Sequence, residues 1–215
     1  DDATVDNPEG NYVDEIRITI DGKFSEKDWQ IRHEAGLTNQ AIAETMKASE
    51  SKYGYNNITV GQKQLYAEIL LVMQNYGVKV PLCSNKEGDL EIIASCVLLD
   101  HPEIFYVDGF AYEKYMLLGN VQKITFTPNY TMSYDEVVST NQMIQQYADI
   151  CIQGIPEAAS EYDKVKYVYE YIISNTEYNV NAPDNQTLCS VFFNRESVCL
   201  GYAKAVQYLL QRMYM

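Results

Sequence analysis

Residues that favour strands are clustered in this chain rather than dealt out between helices, and that order limits the fold more than any other feature. Across 105–126, Phe, Tyr, Val and Ile recur at strand-like spacing around the turn Gly119-Asn120. On both sides of this block the apolar residues return every three or four positions, which is the spacing of helices. Helices, then a small antiparallel meander, then helices again make an α+β order; a doubly wound sheet would alternate the two types. A chain of 215 residues, 47% hydrophobic, is long enough to bury a substantial core around such a frame.

The individual elements follow from caps and periodicity. An alternating segment at 12–20, with Ile16, Ile18 and Ile20 on one face, predicts a strand that ends at Asp21-Gly22. One short helix is expected at 39–51. Thr59-Val60-Gly61-Gln62 is a capping box opening a helix whose stripe is Leu65, Ile69, Val72, Met73 and Tyr76, with Gly77 as its stop. A helix over 87–99 carries Ile92, Ile93, Cys96, Val97 and Leu99. The residue before a proline avoids helical backbone, so Asp100-His101-Pro102 predicts a stop, followed by a strand up to Val107. Two more strands, 110–117 and 121–126, complete the meander.

Ser133-Tyr134-Asp135-Glu136 is a second capping box, for a helix reaching about residue 153 with Val137, Met143 or Ile144, Tyr147 and Cys151 inward. Gly154-Ile155-Pro156 breaks it. Ser160 caps the next helix, with Val165, Val168, Tyr169, Ile172 and Ile173 inward. A polar, turn-rich linker at 174–190 leads to a last helix carrying Ala203, Val206, Leu210 and Met213. The resulting division is an acidic tether at 1–15, an α+β region at 16–157 and a helical region at 158–215.

Charge narrows the range of functions. The net charge is −14 with only 16 Lys and Arg, which argues against nucleic acid, whose binding needs a basic face, and disfavours anionic membrane surfaces. No apolar run approaches the roughly 20 residues of a membrane-spanning helix. Asp1, Asp2, Asp6, Glu9, Asp14 and Glu15 fall in the first fifteen residues, without Lys or Arg. Such a start fits a tether left after leader removal, hence an extracellular or surface-attached protein; a trimmed cytoplasmic chain is the alternative. Five cysteines, at 83, 96, 151, 189 and 199, form no CxxC pair, and an odd count argues against a disulfide framework. Cys96 and Cys151 sit in apolar helical patterns, where a small buried thiol is ordinary. The sequence has no HExxH, no Cys/His cluster, no phosphate-binding glycine loop and no GxSxG, so neither a metal nor a cofactor is expected. The 19 tyrosines serve core edges or line a groove for sugar or peptide.

One stretch is chemically pointed. Cys199 follows a polar loop and opens the last helix, with Ser197 expected as N-cap and Cys199 at the second helical position. A thiol there meets unpaired first-turn amides and the positive end of the helix dipole, both of which favour the thiolate nucleophile. Gly201 permits close approach by another chain or a substrate.

The run 163–178, then Gln186, then Ser197-Val198-Cys199-Leu200-Gly201-Tyr202-Ala203-Lys204-Ala205 resembles bacterial transglutaminase-like proteins. With Asp100-His101-Pro102-Glu103-Ile104-Phe105 and the Tyr130–Ser133 junction, which look like the region preceding that domain, the resemblance covers about 60–215. It implies a papain-like fold of which this chain holds the helical half, with Cys199 as nucleophile at the start of the core helix. Cys199 would form a thioester with a Gln side chain or a peptide carbonyl of a protein or peptide substrate. The oxyanion would be held by the Cys199 amide and a side-chain donor, for which Gln186 is the candidate.

In that family the general-base His and its orienting Asp follow the cysteine helix on strands of a sheet, beyond residue 215 here. His33 and His101 match no motif of the family; His101 is expected to make local capping bonds. The triad is thus incomplete in these residues, and no acyl transfer is expected from them alone. A non-enzymatic interaction module on the same scaffold is the alternative. Its uncovered helix faces would pair two copies into a homodimer.

Overall fold

The computed structural model describes residues 24–213. The acidic tether expected at 1–15, the strand at 12–20 and its turn at Asp21-Gly22 lie outside the described residues. The fold is α+β, helices with a small antiparallel sheet, and it divides into two compact units. One takes residues up to 100 together with 107–130; the other takes 101–106 and the chain from 131 onward.

The first unit is built on α4 (Val60–Gln74), with α1 (Glu26–Glu34), α2 (Asn39–Ala48), the short α3 (Tyr53–Asn56) and α5 (Glu87–Asp100). The expected box opens α4: the Thr59 N–H donates to the Gln62 side chain at 3.0 Å. Every residue from 64 to 73 is buried, so α4 is enclosed on all sides rather than along the one stripe its spacing suggests. Enclosure extends to Glu68, which accepts from the Arg32 guanidinium at 2.8 Å, the Cys83 N–H at 2.8 Å and the Gln64 amide at 3.0 Å. A buried charge of this kind needs such full pairing.

The stop of α4 differs from expectation. Tyr76, at φ 56°, is the left-handed residue, and the Gly77 N–H closes the turn on the Val72 carbonyl at 2.9 Å. Gly77 is glycine for room: a Cβ there would lie 2.8 Å from Val80, 3.0 Å from Val72 and 3.1 Å from Ala35. Stacking on Tyr130, with ring centroids 4.5 Å apart, holds Tyr76 in its unusual backbone. In α5 the buried face is Leu90, Ile93, Ala94 and Val97, while Ile92 and Leu99 point outward. Asp100, at its end, accepts from the Gly54 and Tyr55 amides and the Tyr66 hydroxyl at 2.8–2.9 Å, capping α3.

The sheet has the order β1-β3-β2, all antiparallel, from β1 (Val80–Pro81), β2 (Val107–Leu117) and β3 (Asn120–Tyr130). Its third strand is therefore Val80–Pro81 and not the segment before Val107. Residues 101–106 instead form a turn, closed by the Ile104 N–H on the His101 carbonyl at 2.9 Å. β3 also continues past 126, through Pro128, opposite Phe110; the short β1 has by then ended, and proline is tolerated where one flank of a strand is open.

The second unit packs α6 (Tyr134–Gln153), α7 (Glu161–Asn175) and α8 (Cys199–Met213) around Ile144, Ala148, Cys151, Val168, Ile172, Phe192, Ala205 and Leu209. The Ser133–Glu136 box and the Ser160 cap are as expected, with Ser160 accepting from the Asp163 N–H at 3.2 Å. The inward residue of α6 is Ile144, and Met143 is exposed. Tyr147 stacks on Phe192 at 4.4 Å, and Tyr171 and Tyr208 approach the same pair edge-on.

Candidate functional site

The polar linker of the second unit is more structured than a loop. β4 (Glu177–Tyr178) pairs in parallel with β5 (Glu196–Ser197), and a helical turn at Ser190–Asn194 ends on Arg195, at φ 57°. β5 delivers the chain to α8, whose first residue is Cys199, with an exposed thiol. The Val198 carbonyl accepts from the Tyr202 N–H at 3.1 Å, so Val198 holds the cap position and Cys199 is the first, not the second, helical residue.

Ser197 is not the cap because its hydroxyl is used elsewhere. It donates to the Asn185 carbonyl at 2.8 Å and lies 2.7 Å from the Ser190 hydroxyl, both serines being fully buried. The Val198 N–H donates to the same Asn185 carbonyl at 3.1 Å. These bonds clamp the loop that carries Gln186 to the two residues before Cys199. Gly201 completes the clamp. A Cβ there would collide with the Ser197 hydroxyl and lie 2.8 Å from the Asn185 oxygen and 3.0 Å from the Thr187 oxygen. The close approach expected at Gly201 is thus made by this chain's own 185–187 backbone.

Gln186 is exposed, between two residues whose carbonyls face the first turn of α8. The structure accordingly joins the two candidate site residues through one hydrogen-bonded junction. Periodicity does not reveal that junction, because its parts are two serines, a glycine and a backbone oxygen. The doublet Ser190…Ser197, small hydroxyl residues flanking a short apolar segment, is the sequence signal that marks it in hindsight.

The histidines are placed differently. His33 is exposed on α1, in the first unit. His101 is buried in the second unit, with Nδ1 2.6 Å from Glu103 Oε1; its partner is a carboxylate side chain as well as the local turn. The Glu103 charge, after burial and the Arg212 charge, acts on Tyr208 and contributes to raising that phenol. Tyr208 lies nine residues from Cys199, about 13 Å along the helix. The carboxylate that engages this imidazole is therefore felt at the middle of α8.

The other thiols are enclosed. Burial pushes Cys151 up to about 11, and burial with the Asp184 charge pushes Cys189 up to about 12. Cys83 is buried and Cys96 half-buried, raised by burial and by Asp100; none of the five is in a disulfide.

α8 also carries a second apolar face. The buried one is Gly201, Ala205 and Leu209, while Ala203, Val206 and Leu210 line an open groove of about 560 Å³ with Tyr169, Ile172 and Ile173 of α7. The expected core stripes are split: Val168 and Ile172 are buried as expected, Val165, Tyr169 and Ile173 are exposed, and Ala203, Val206 and Leu210 line this groove. Among the described residues no helix is long and apolar enough to cross a membrane, and no group of three or more His, Cys, Asp or Glu is placed to hold a metal ion. No family model matches the chain, and no curated protein matches it.

Proposed function

We propose that the second unit is the helical half of a transglutaminase-like cysteine enzyme, with Cys199 as the nucleophile position and Gln186 as the candidate oxyanion donor. The observation that carries this reading is the clamp. Ser197, Val198 and Gly201 fix the 185–187 backbone against the turn that presents the one exposed thiol among the five. Such a junction brings together a nucleophile position, the first turn of a helix and an amide-bearing loop, which acyl transfer needs before any substrate arrives.

In that chemistry the thiolate attacks an amide carbonyl and the C–N bond breaks. The nitrogen leaves with a proton, and water or an amine resolves the thioester. The thiol proton must pass to a base. His101, the one imidazole of this unit, is engaged with Glu103, and the resemblance puts the base and its carboxylate C-terminal to the cysteine helix. These 215 residues alone are therefore expected to release no ammonia from a Gln-containing peptide and to incorporate no amine. Turnover that disappears in Cys199→Ala would contradict the incomplete site.

A second reading, an interaction module on the same scaffold, is favoured by the open α7–α8 groove. Its rim residues Tyr169, Tyr202, Gln207 and Gln211 are uncharged, so two copies of a chain carrying −14 can meet there without opposing like charges. Light scattering is expected to show a dimer that Leu210→Asp converts to a monomer. A wild-type monomer at high concentration would rule this pairing out.

A further inference from the structure

We propose that the tip of the β2–β3 hairpin is a wedge that inserts into the interface of a zwitterionic lipid bilayer. The apex exposes Met116 (55%), Leu117 (60%) and Leu118 (94%) next to half-exposed Tyr115, with no charged residue from 115 to 122. Met116 pairs with Val121 and Leu117 with Asn120. Successive strand residues face opposite sides, so the apex is apolar on both faces of the ribbon. A surface that docks face-on needs only one such side, whereas an apex with an exposed apolar side chain on each face, Met116 on one and Leu117 on the other, suits a medium that surrounds it.

The turn supports the same reading. Leu118 and Gly119 occupy left-handed backbone, at φ 49° and 81°. Asn or Asp is the ordinary residue at the first of these positions, and leucine there is strained. The chain thus holds its most exposed apolar side chain at a place where a polar one would make a better turn.

Behind the apex, the Lys123 ammonium lies 4.5 Å over the Tyr115 ring, an aromatic and a lysine at the level where an interface changes from apolar to polar. The cations of this girdle are already paired: Lys123 with Asp28 at 2.6 Å, Lys114 with Glu87 at 2.7 Å and Lys79 with Glu113 at 2.7 Å. These three lysines are therefore not left over for anionic headgroups. Four side chains are also far fewer than the roughly 20–30 residues a side of a stable protein interface. A bilayer, by contrast, takes single apolar side chains additively.

Sedimentation of the 215-residue protein with phosphatidylcholine vesicles at roughly millimolar lipid tests this. Wild type is expected to co-sediment, Leu118→Asn to lower the partition coefficient about tenfold, and added phosphatidylglycerol to weaken binding by repelling the acidic chain. Asparagine suits left-handed backbone, so thermal melts should show Leu118→Asn folded. Wild type remaining in the supernatant would overturn the proposal, as would Leu118→Asn binding unchanged or binding that rises with phosphatidylglycerol. Tip-dependent self-association without vesicle binding would overturn it in favour of a protein partner.

Discussion

At the scale of single residues, the small side chains carry the most structural information in this protein. Gly201 faces the 185–187 backbone at a distance no Cβ accommodates. Gly201→Ala is expected to cost about 1–3 kcal/mol as an overpacked contact and to displace the loop that carries Gln186. Urea denaturation measures the first effect, and faster proteolysis within 180–190 reports the second. Unchanged stability would mean that the clamp yields freely. The helix start at Cys199 was legible in the sequence because the polar loop and the apolar pattern that mark it are contiguous. The roles of Ser197 and Ser190 were not, since a serine ahead of a helix reads as a cap until a competing carbonyl is known to lie 2.8 Å away.

At the scale of elements, helices were legible where a cap and an apolar stripe coincide, as at Thr59, Ser133 and Ser160. α1 was not, because it has no such stripe: its buried residues are Asp28 and Arg32. Arg32 pairs with Glu68, and its guanidinium lies over Phe24 at 4.7 Å. Asp28 closes the Ser25 capping box and pairs with Lys123 of β3 at 2.6 Å. Helix α8 failed in the opposite way. It has two apolar faces, and the smaller residues Gly201 and Ala205 lie on the buried one, so size pointed to the wrong side.

The link between α1 and β3 has a pH signature. Burial pushes the Asp28 carboxyl up, but Lys123 and the Ser25 amide and hydroxyl outweigh it, leaving the group below its ordinary 3.8. A carboxyl depressed in the folded state contributes its stability in full above the unfolded value, and loses it as pH falls through the folded one. Asp28→Asn is therefore expected to cost about 1 kcal/mol near neutrality and nothing at pH well below 3.8. Thermal melts across that range should converge at the acid end; a constant difference would show that the ion pair contributes little.

At the scale of the whole molecule, the clustering of strand residues foretold the α+β class, although the third strand came from Val80–Pro81, too short to be seen as a pattern. Each unit has its own core, the first around α4 and the second around the α6–α8 aromatic cluster. Within the second unit, the exposed thiol lies at the head of α8 and the open apolar groove along its side. The proposed function depends on Cys199 being the addressable thiol of the protein. Site-resolved iodoacetamide labelling at about pH 8, followed by peptide mass mapping, tests this most directly. Cys199 is predicted to label at least about tenfold faster than Cys151 and Cys189, whose thiols burial keeps protonated. Labelling of Cys199 no faster than these two would contradict the assignment of the head of α8 as the nucleophile position.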